Sequence, residues 1–308
     1  MNWIILVVLT IIFESLQLFI NNYTADTYFK KRGAVSQSIY LNTFTFILAI
    51  IMLIATGFSI SAADLPTICM IILSGILIVA DGIPYMRALE IDDSTNVGIF
   101  IQLSPLLYLI IGWLFLNEPF SPYQLIPFLL ILTAPLLVIL TTRKKSKGIR
   151  IKAAFYAFLC VVISTLGNLI FARASNGDNF IQNMAFIFIG KFIGTMMIVF
   201  PRKKWRIRLK NVTKNSKGKI FRPISVNFLV STLKDFTYRG ALITAPTLAI
   251  ASASTDTLEP LAIFFMGIVL TLIWPKFGRE ELDKKTVSIH FISIALIVIG
   301  IIMLNTLQ

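Results

Sequence analysis

The sequence predicts an all-α polytopic membrane protein with ten transmembrane helices, arranged as two five-helix inverted repeats. Three observations carry that expectation. Of the 308 residues, 56% are hydrophobic and only 14% charged, whereas a soluble domain carries about 25% charged residues. The apolar residues gather in ten runs, each near the roughly 20 residues a helix needs to cross a ~30 Å hydrocarbon core. The net charge of +13 falls almost wholly between those runs, which points to the anionic face of a bilayer rather than to nucleic acid.

In chain order the runs are Asn2–Tyr23, Ser38–Ile60, Leu65–Glu90, Thr95–Leu116, Tyr123–Thr141, Ile151–Ala172, Phe180–Phe200, Val226–Ile250, Ala253–Trp274 and Val287–Leu304. Strands of a barrel would alternate apolar and polar residues over ~10 positions. Trp3–Phe13 and Phe291–Leu304 do not alternate, so the runs read as helices. The first run has no basic leader and is too long for a signal h-region, so it reads as a retained span. Cys69 and Cys160 both sit inside apolar runs and His290 is the single histidine. A disulfide scaffold and a His-based metal cluster are therefore not expected.

The chain divides at the basic stretch Arg143–Lys152, with five spans on each side. The expected organisation is a first repeat over 1–142, a connecting loop over 143–152 and a second repeat over 153–308. Span three carries Tyr85-Met-Arg87-Ala88-Leu89, and span eight carries Tyr238-Arg239-Gly240-Ala241-Leu242. Asp81 and Asp235 precede these motifs at nearly the same distance, and Ser104-Pro105-Leu106 is echoed by Glu259-Pro260-Leu261. Because five is odd, successive halves enter the membrane from opposite sides, as in the inverted repeats of many secondary transporters.

The stretch from Tyr85 through Val97, then Leu103-Ser-Pro-Leu, then Trp113-Leu-Phe-Leu-Asn-Glu118-Pro resembles the EamA repeat of the drug/metabolite transporter superfamily. The family pattern has Ala-Leu near the end of span three, Pro within span four, and a Leu-Gly-Glu corner before span five. Here Asn117 replaces the Gly, and the segment Trp274–Glu281 departs further from the pattern. The resemblance implies a ten-helix 5+5 permease fold and transport of small metabolites.

Loops after odd spans hold 24 Lys and Arg residues, and loops after even spans hold only Arg173. The positive-inside rule then places the basic loops in the cytoplasm and both termini outside. The resemblance implies both termini in the cytoplasm, so the two arguments conflict. The expected location is the plasma membrane.

Ionisable side chains in a span cost about 2.5–3.5 kcal/mol at the bilayer centre on insertion scales, so they turn inward to a partner or a cavity. Glu14, Gln17 and Asn21 share one face of span one. Glu14 reads either as a proton- or substrate-binding carboxylate or as half of a structural ion pair. Small multidrug exporters, relatives by the resemblance, likewise carry a membrane-embedded Glu in their first helix. In span eight, Asp235 and Arg239 stand at i and i+4, a spacing that permits an ion pair. Lys234 points away from them and needs another partner, for which Asp81 is the candidate. Lys191 lies between Gly190 and Gly194, a small-residue pair that admits a close neighbour. Glu259 precedes Pro260, which interrupts span nine and frees backbone carbonyls. Glu14, Gln17, Asp81, Lys191, Lys234, Asp235 and Glu259 are thus the substrate or coupling candidates.

Structural roles are expected for Tyr85, Tyr238, Arg239, Pro105 and Pro260, for Gln102 in an interhelical hydrogen bond, and for Glu118 at the corner before span five. Arg87 is placed to snorkel to the interface, and Asp256 and Glu90 lie toward span ends. The embedded charges nearly balance, which favours mutual pairing.

The leading functional reading is a secondary transporter for a small organic compound, coupled to an ion or proton. No Gly-x-x-x-x-Gly-Lys-Ser/Thr motif occurs, so the energy is expected from a gradient rather than from nucleotide. Cofactors and metals are not expected. An intramembrane enzyme would need a reactive constellation, and none is evident. A non-transporting scaffold or channel is the remaining alternative.

Overall fold

A computed structural model describes residues 2–24, 27–28, 39–57, 65–91, 97, 100–101, 104–115, 123, 125–130, 132–133, 151–175, 179–201, 203, 206–207, 210–211, 214 and 218–273, with isolated positions at 288, 292, 295–296, 299–300 and 303. Among the described residues the regular structure is helical throughout. The helices are α1 (Trp3–Thr24), α2 (Thr45–Ala55), α3 (Leu65–Ala80), α4 (Gly82–Ile91), α5 (Ser104–Phe115), α6 (Ile151–Ala174), α7 (Phe180–Val199), α8 (Phe221–Thr244) and α9 (Leu248–Ile273). By length and apolarity, four described segments can cross a membrane: Trp3–Asn21, Leu65–Ala88, Ile151–Ala174 and Phe180–Val199. Ile39–Ala55 and Ser104–Leu114 are shorter apolar helices. Much of the fifth and tenth expected spans lies outside the described residues.

Each boundary has a local cause. The helix of span two stops at Ala55 rather than at the expected Ile60. Gly57 takes a left-handed φ of 78° and its N–H bonds to the Ile54 carbonyl at 3.1 Å, a conformation for which Gly is the cheapest residue. Span three is divided into α3 and α4 at Asp81. Pro84 has no N–H for the carbonyl of Ala80, the residue just before the break. The chain still carries helical bonds across it, from Asp81 N–H to Leu77 and from Tyr85 N–H to Asp81. Pro105 is accommodated in the first turn of α5, where a missing N–H costs nothing.

Spans eight and nine depart from the expected bounds. Span eight was expected over Val226–Ile250 and span nine from Ala253. The helices are instead Phe221–Thr244 and Leu248–Ile273. Pro246 forces extended backbone on the residue before it, and Ala245 has ψ 156°. Thr247 then caps the new helix, accepting the Ile250 N–H on Oγ1 at 3.2 Å. Proline at 260 does not interrupt span nine as expected, because α9 runs on through it.

The helices pack in two linked groups. In the first, α7 lies against α3 and α2, and α3 also against α6. Gly75 and Gly190 make the α3–α7 crossing possible, since a Cβ on Gly75 would stand 2.8 Å from the Gly190 Cα. Gly194 faces Ile76 and Val79 of the same helix, so the close neighbour expected at the Gly190/Gly194 pair is α3. Ser74 Oγ donates to the Gly167 carbonyl of α6 at 2.6 Å. In the second group, α1 lies against α8 and α9, and α5 against α9 and α6. Several hydroxyls inside apolar helices are satisfied within their own helix: Thr10 bonds the Leu6 carbonyl, Ser15 that of Ile11, and Thr195 that of Lys191. Large aliphatic side chains such as Ile47, Ile51 and Ile54 point outward, as a lipid-facing surface requires. Apart from Arg87 and Glu90, which are exposed, the charged side chains deep in the spans turn inward, and they define the site.

Candidate functional site

The first element of the site is a polar seam between α1 and α8. Glu14 Oε1 accepts from Lys234 Nζ at 3.3 Å, and Asn21 Oδ1 accepts from Asn227 Nδ2 at 2.7 Å. The two contacts are seven residues apart on each helix, in opposite senses, so the helices run antiparallel and the contacts lie about 10 Å apart along the axis. Gln17 falls between them and is half-buried. The stripe expected on span one is therefore the face that α8 covers. This corrects one expectation, since Lys234 takes Glu14 rather than Asp81 as its ion-pair partner; for Glu14 an ion pair was one of the two readings. The cause is the register of α1 against α8, which a single sequence does not contain.

The second element is a triad. Asp235 accepts from Arg239 Nη1 on Oδ1 at 2.9 Å, the i, i+4 pair expected from spacing. Its other oxygen, Oδ2, takes the ammonium of Lys191 from α7. The three side chains are 9%, 10% and 2% exposed for Lys191, Asp235 and Arg239 respectively. Two cations thus share one carboxylate in the protein interior. Each is also set over an aromatic ring, Lys191 over Phe188 at 5.8 Å and Arg239 over Phe171 at 5.6 Å. Cation–π attraction strengthens when the cation is desolvated, and it offsets part of the surplus charge. Among the described residues Arg239 Nε has no hydrogen-bond partner.

The third element links α5, α6, α8 and α9. Asp256 Oδ2 accepts from Ser104 Oγ of α5 and from Ser252 Oγ at 2.9 Å. Tyr108 accepts from Asn168 Nδ2 at 2.8 Å and meets the Tyr238 hydroxyl at 3.4 Å. Asp256 was expected toward a span end. It lies eight residues inside α9, about 12 Å from the start of that helix. The earlier start of α9, set by Pro246 and Thr247, is the reason. Asp256 is thus a site residue that sequence reasoning missed. The signal that reveals it is the Pro-Thr stop-and-cap pair, not hydropathy.

The remaining candidates stand around these three elements. Glu259 is half-buried in α9, within electrostatic reach of Glu14, Asp256 and Lys234. Asp81 lies beside Ser164 of α6 and within reach of Lys191 and Lys234. Tyr85 packs against the cluster of Ala88, Val97 and Ala157. Arg87 is exposed and pairs with Glu90 at 3.0 Å, consistent with a side chain reaching to the interface. Pro105 is buried in α5, and Pro260 stands one residue after Glu259 in α9. Gln102 and Glu118 lie outside the described residues. Among the described residues no group of three or more His, Cys, Asp or Glu is placed to hold a metal ion.

An acidic residue on the first helix, facing a basic residue from the other half of the chain, sits inside a bundle of apolar helices. Residues 1–141 match the EamA-like transporter family. The family is part of the drug/metabolite transporter superfamily, and its members are membrane transporters of small compounds. Within this EamA-like region lie Glu14, Asp81, Ser104 and Tyr108, the first-half contribution to the site. No curated protein matches the chain. A solved crystal structure, described only as that of a protein, aligns with a TM-score of 0.61 and 14% identity, covering 99% of this chain and 97% of that one. At that identity the likeness establishes the fold alone, but it extends over both halves of the chain.

Proposed function

We propose that this integral membrane protein is a secondary transporter that moves a small organic metabolite or drug-like compound, coupled to a proton or another ion. The observation that carries the reading is the Glu14–Lys234 pair at 3.3 Å. It joins a carboxylate of the EamA-like region to an ammonium of the second half, and its side chains are 27% and 25% exposed. A charge pair at the seam between halves, with part of each side chain exposed, can be opened by substrate or by a proton and so report one side's occupancy to the other half.

The ten-helix inverted repeat belongs to the same proposal. Two cross-half contacts support it. Ala88 of α4 packs with Ala157 of α6, and Ala241 of α8 packs with Leu6, Val7 and Ile11 of α1. In each case the Ala of the Tyr-x-x-Ala-Leu motif meets the first helix of the opposite half, as an in-plane pseudo-twofold axis requires. The match ending at residue 141 supports a first repeat over 1–142. The basic loops are placed in the cytoplasm on their charge, facing anionic headgroups.

The test is uptake into proteoliposomes. Purified protein is reconstituted and given a panel of labelled metabolites with and without an imposed pH gradient. The expected result is accumulation of at least one compound above its equilibrium level only with the gradient. Failure of every compound to enter faster than in protein-free vesicles, or its chemical conversion on the way, would overturn the reading.

A further inference from the structure

A groove of about 210 Å³ runs between α2 and α8, walled by Phe44, Ile47 and Ile51 on one side and Phe221, Ser225 and Phe228 on the other. We propose that it is a binding site for an anionic phospholipid, one acyl chain lying in the groove and the headgroup on Lys219 and Arg222.

The walls fit a chain. Tyr40 meets Phe221 with ring centroids 6.5 Å apart, and Phe44 meets Phe228 at 6.3 Å. The two helices therefore run in the same direction, with Phe44 level with Phe228, and the wall on α8 from Phe221 to Phe228 has a length of about 10 Å. That is about two thirds of one leaflet of a ~30 Å hydrocarbon core. The lining is apolar except for Ser225. Ile47 and Ile51, at its edge, are 58% and 57% exposed, so the groove opens toward lipid rather than toward the charged interior.

One end of the groove is fixed and basic. The turn before α8 is set by Gly218, whose φ of 79° is a left-handed value, and by the Phe221 N–H bond to the Gly218 carbonyl at 3.1 Å. Ile220 is fully buried with Tyr40 and Leu41, which anchors that turn on the neighbouring helix. Lys219 and Arg222, on either side of these anchors, are exposed. They close the most basic connection of the chain, with ten Lys and Arg between Arg202 and Arg222. A cation pair held at the end of an apolar trough matches a phosphate carrying an acyl chain. A zwitterionic headgroup would bring its own cation against the same two residues. Only membrane embedding is required here, so the proposal stands or falls apart from the transport reading.

The test uses the full chain in mild detergent, with phosphatidylglycerol or phosphatidylcholine of the same acyl chains added, read by native mass spectrometry and by melting temperature. Wild type is expected to retain phosphatidylglycerol at least tenfold more tightly than phosphatidylcholine and to melt several degrees higher with it. Ser225→Trp, an exposed position, fills the groove and leaves every charge in place; it should lose retention of both lipids while its lipid-free melting temperature stays unchanged. Lys219→Gln with Arg222→Gln should abolish the preference between the lipids and keep the weaker chain-dependent retention. Phosphatidylglycerol retained equally by Ser225→Trp would mean diffuse attraction to the basic loop and would overturn the proposal. Equal retention of the two lipids by wild type would overturn it as well.

Discussion

Replacing Asp235 by Asn keeps the shape of the side chain and removes the one carboxylate that Lys191 and Arg239 share. Removing one member of a buried ion pair costs about 3–5 kcal/mol, because the partner is left uncompensated in a low dielectric. Here two cations are orphaned, and all three side chains are at most 10% exposed, so water screens little of the cost. The expected loss is at the upper end of that range, on the order of 10 °C in melting temperature. Lys191→Met behaves differently. It removes the surplus cation, leaves the Asp235–Arg239 pair at 2.9 Å, and should cost well under the roughly 3–5 kcal/mol of a broken pair, since no buried charge is left uncompensated. The double variant should then be more stable than Asp235→Asn alone, with one stranded cation instead of two. Tryptophan fluorescence melts of the three purified variants in one detergent give the comparison. If Asp235→Asn melts within two degrees of wild type, or if Lys191→Met costs as much, the triad is not the charge-sharing unit argued from the geometry.

Other consequences are as direct. Gly190→Leu should abolish assembly of the bundle, because a side chain there meets the Ile72 and Gly75 backbone of α3, which cannot move aside; Gly82→Ala, with nothing within 4 Å, should purify and melt like wild type. Ser104→Ala removes a hydroxyl from a charged acceptor, Asp256. It should cost about 1.5–3 kcal/mol, seen as a lower melting temperature that Ser104→Thr restores. In a background without Cys69 and Cys160, Ser146→Cys and Ser216→Cys should resist an impermeant thiol reagent in intact cells and react after permeabilisation; labelling of both in intact cells would reverse the orientation read from loop charge.

Hydropathy located most of the helices that are described, because a 22-residue helix such as α1 or a 24-residue helix such as α6 lies within one uninterrupted apolar run. It failed where composition stays apolar through a break. Ala245-Pro246-Thr247 lies between two greasy segments, so a length criterion runs across it, while the stop-and-cap chemistry of Pro and Thr places the boundary correctly. That error carried Asp256 to a span end and out of the site. The Asp235–Arg239 pair was legible because both partners sit on one helix, where spacing fixes geometry. Glu14–Lys234 and Lys191–Asp235 were not, because each depends on the rotation and register of two helices packed by their apolar faces. The near-balance of buried charge said that pairs must exist without saying which.

The pairs differ in what they hold together, and that difference bears on mechanism. Lys191, Asp235 and Arg239 all belong to the second half, so a movement of one half against the other leaves the triad intact. Glu14–Lys234 and Ser104–Asp256 cross between halves, and a rocking motion about their interface must remake them. Exchanging the charges, Glu14→Lys with Lys234→Glu, tests whether the pair does more than hold the seam. The swap restores attraction at the same site. If pairing is the whole role, the swapped protein should melt near wild type and accumulate substrate normally, while each single variant should be destabilised by its like-charge contact. If the position of the carboxylate on α1 matters, because that is where the proton or substrate is taken up, the swap should recover stability but not gradient-driven accumulation. The transport proposal expects the second result. Full recovery of uptake by the swap would leave Glu14 a structural residue and move the coupling role to Asp256 or Glu259.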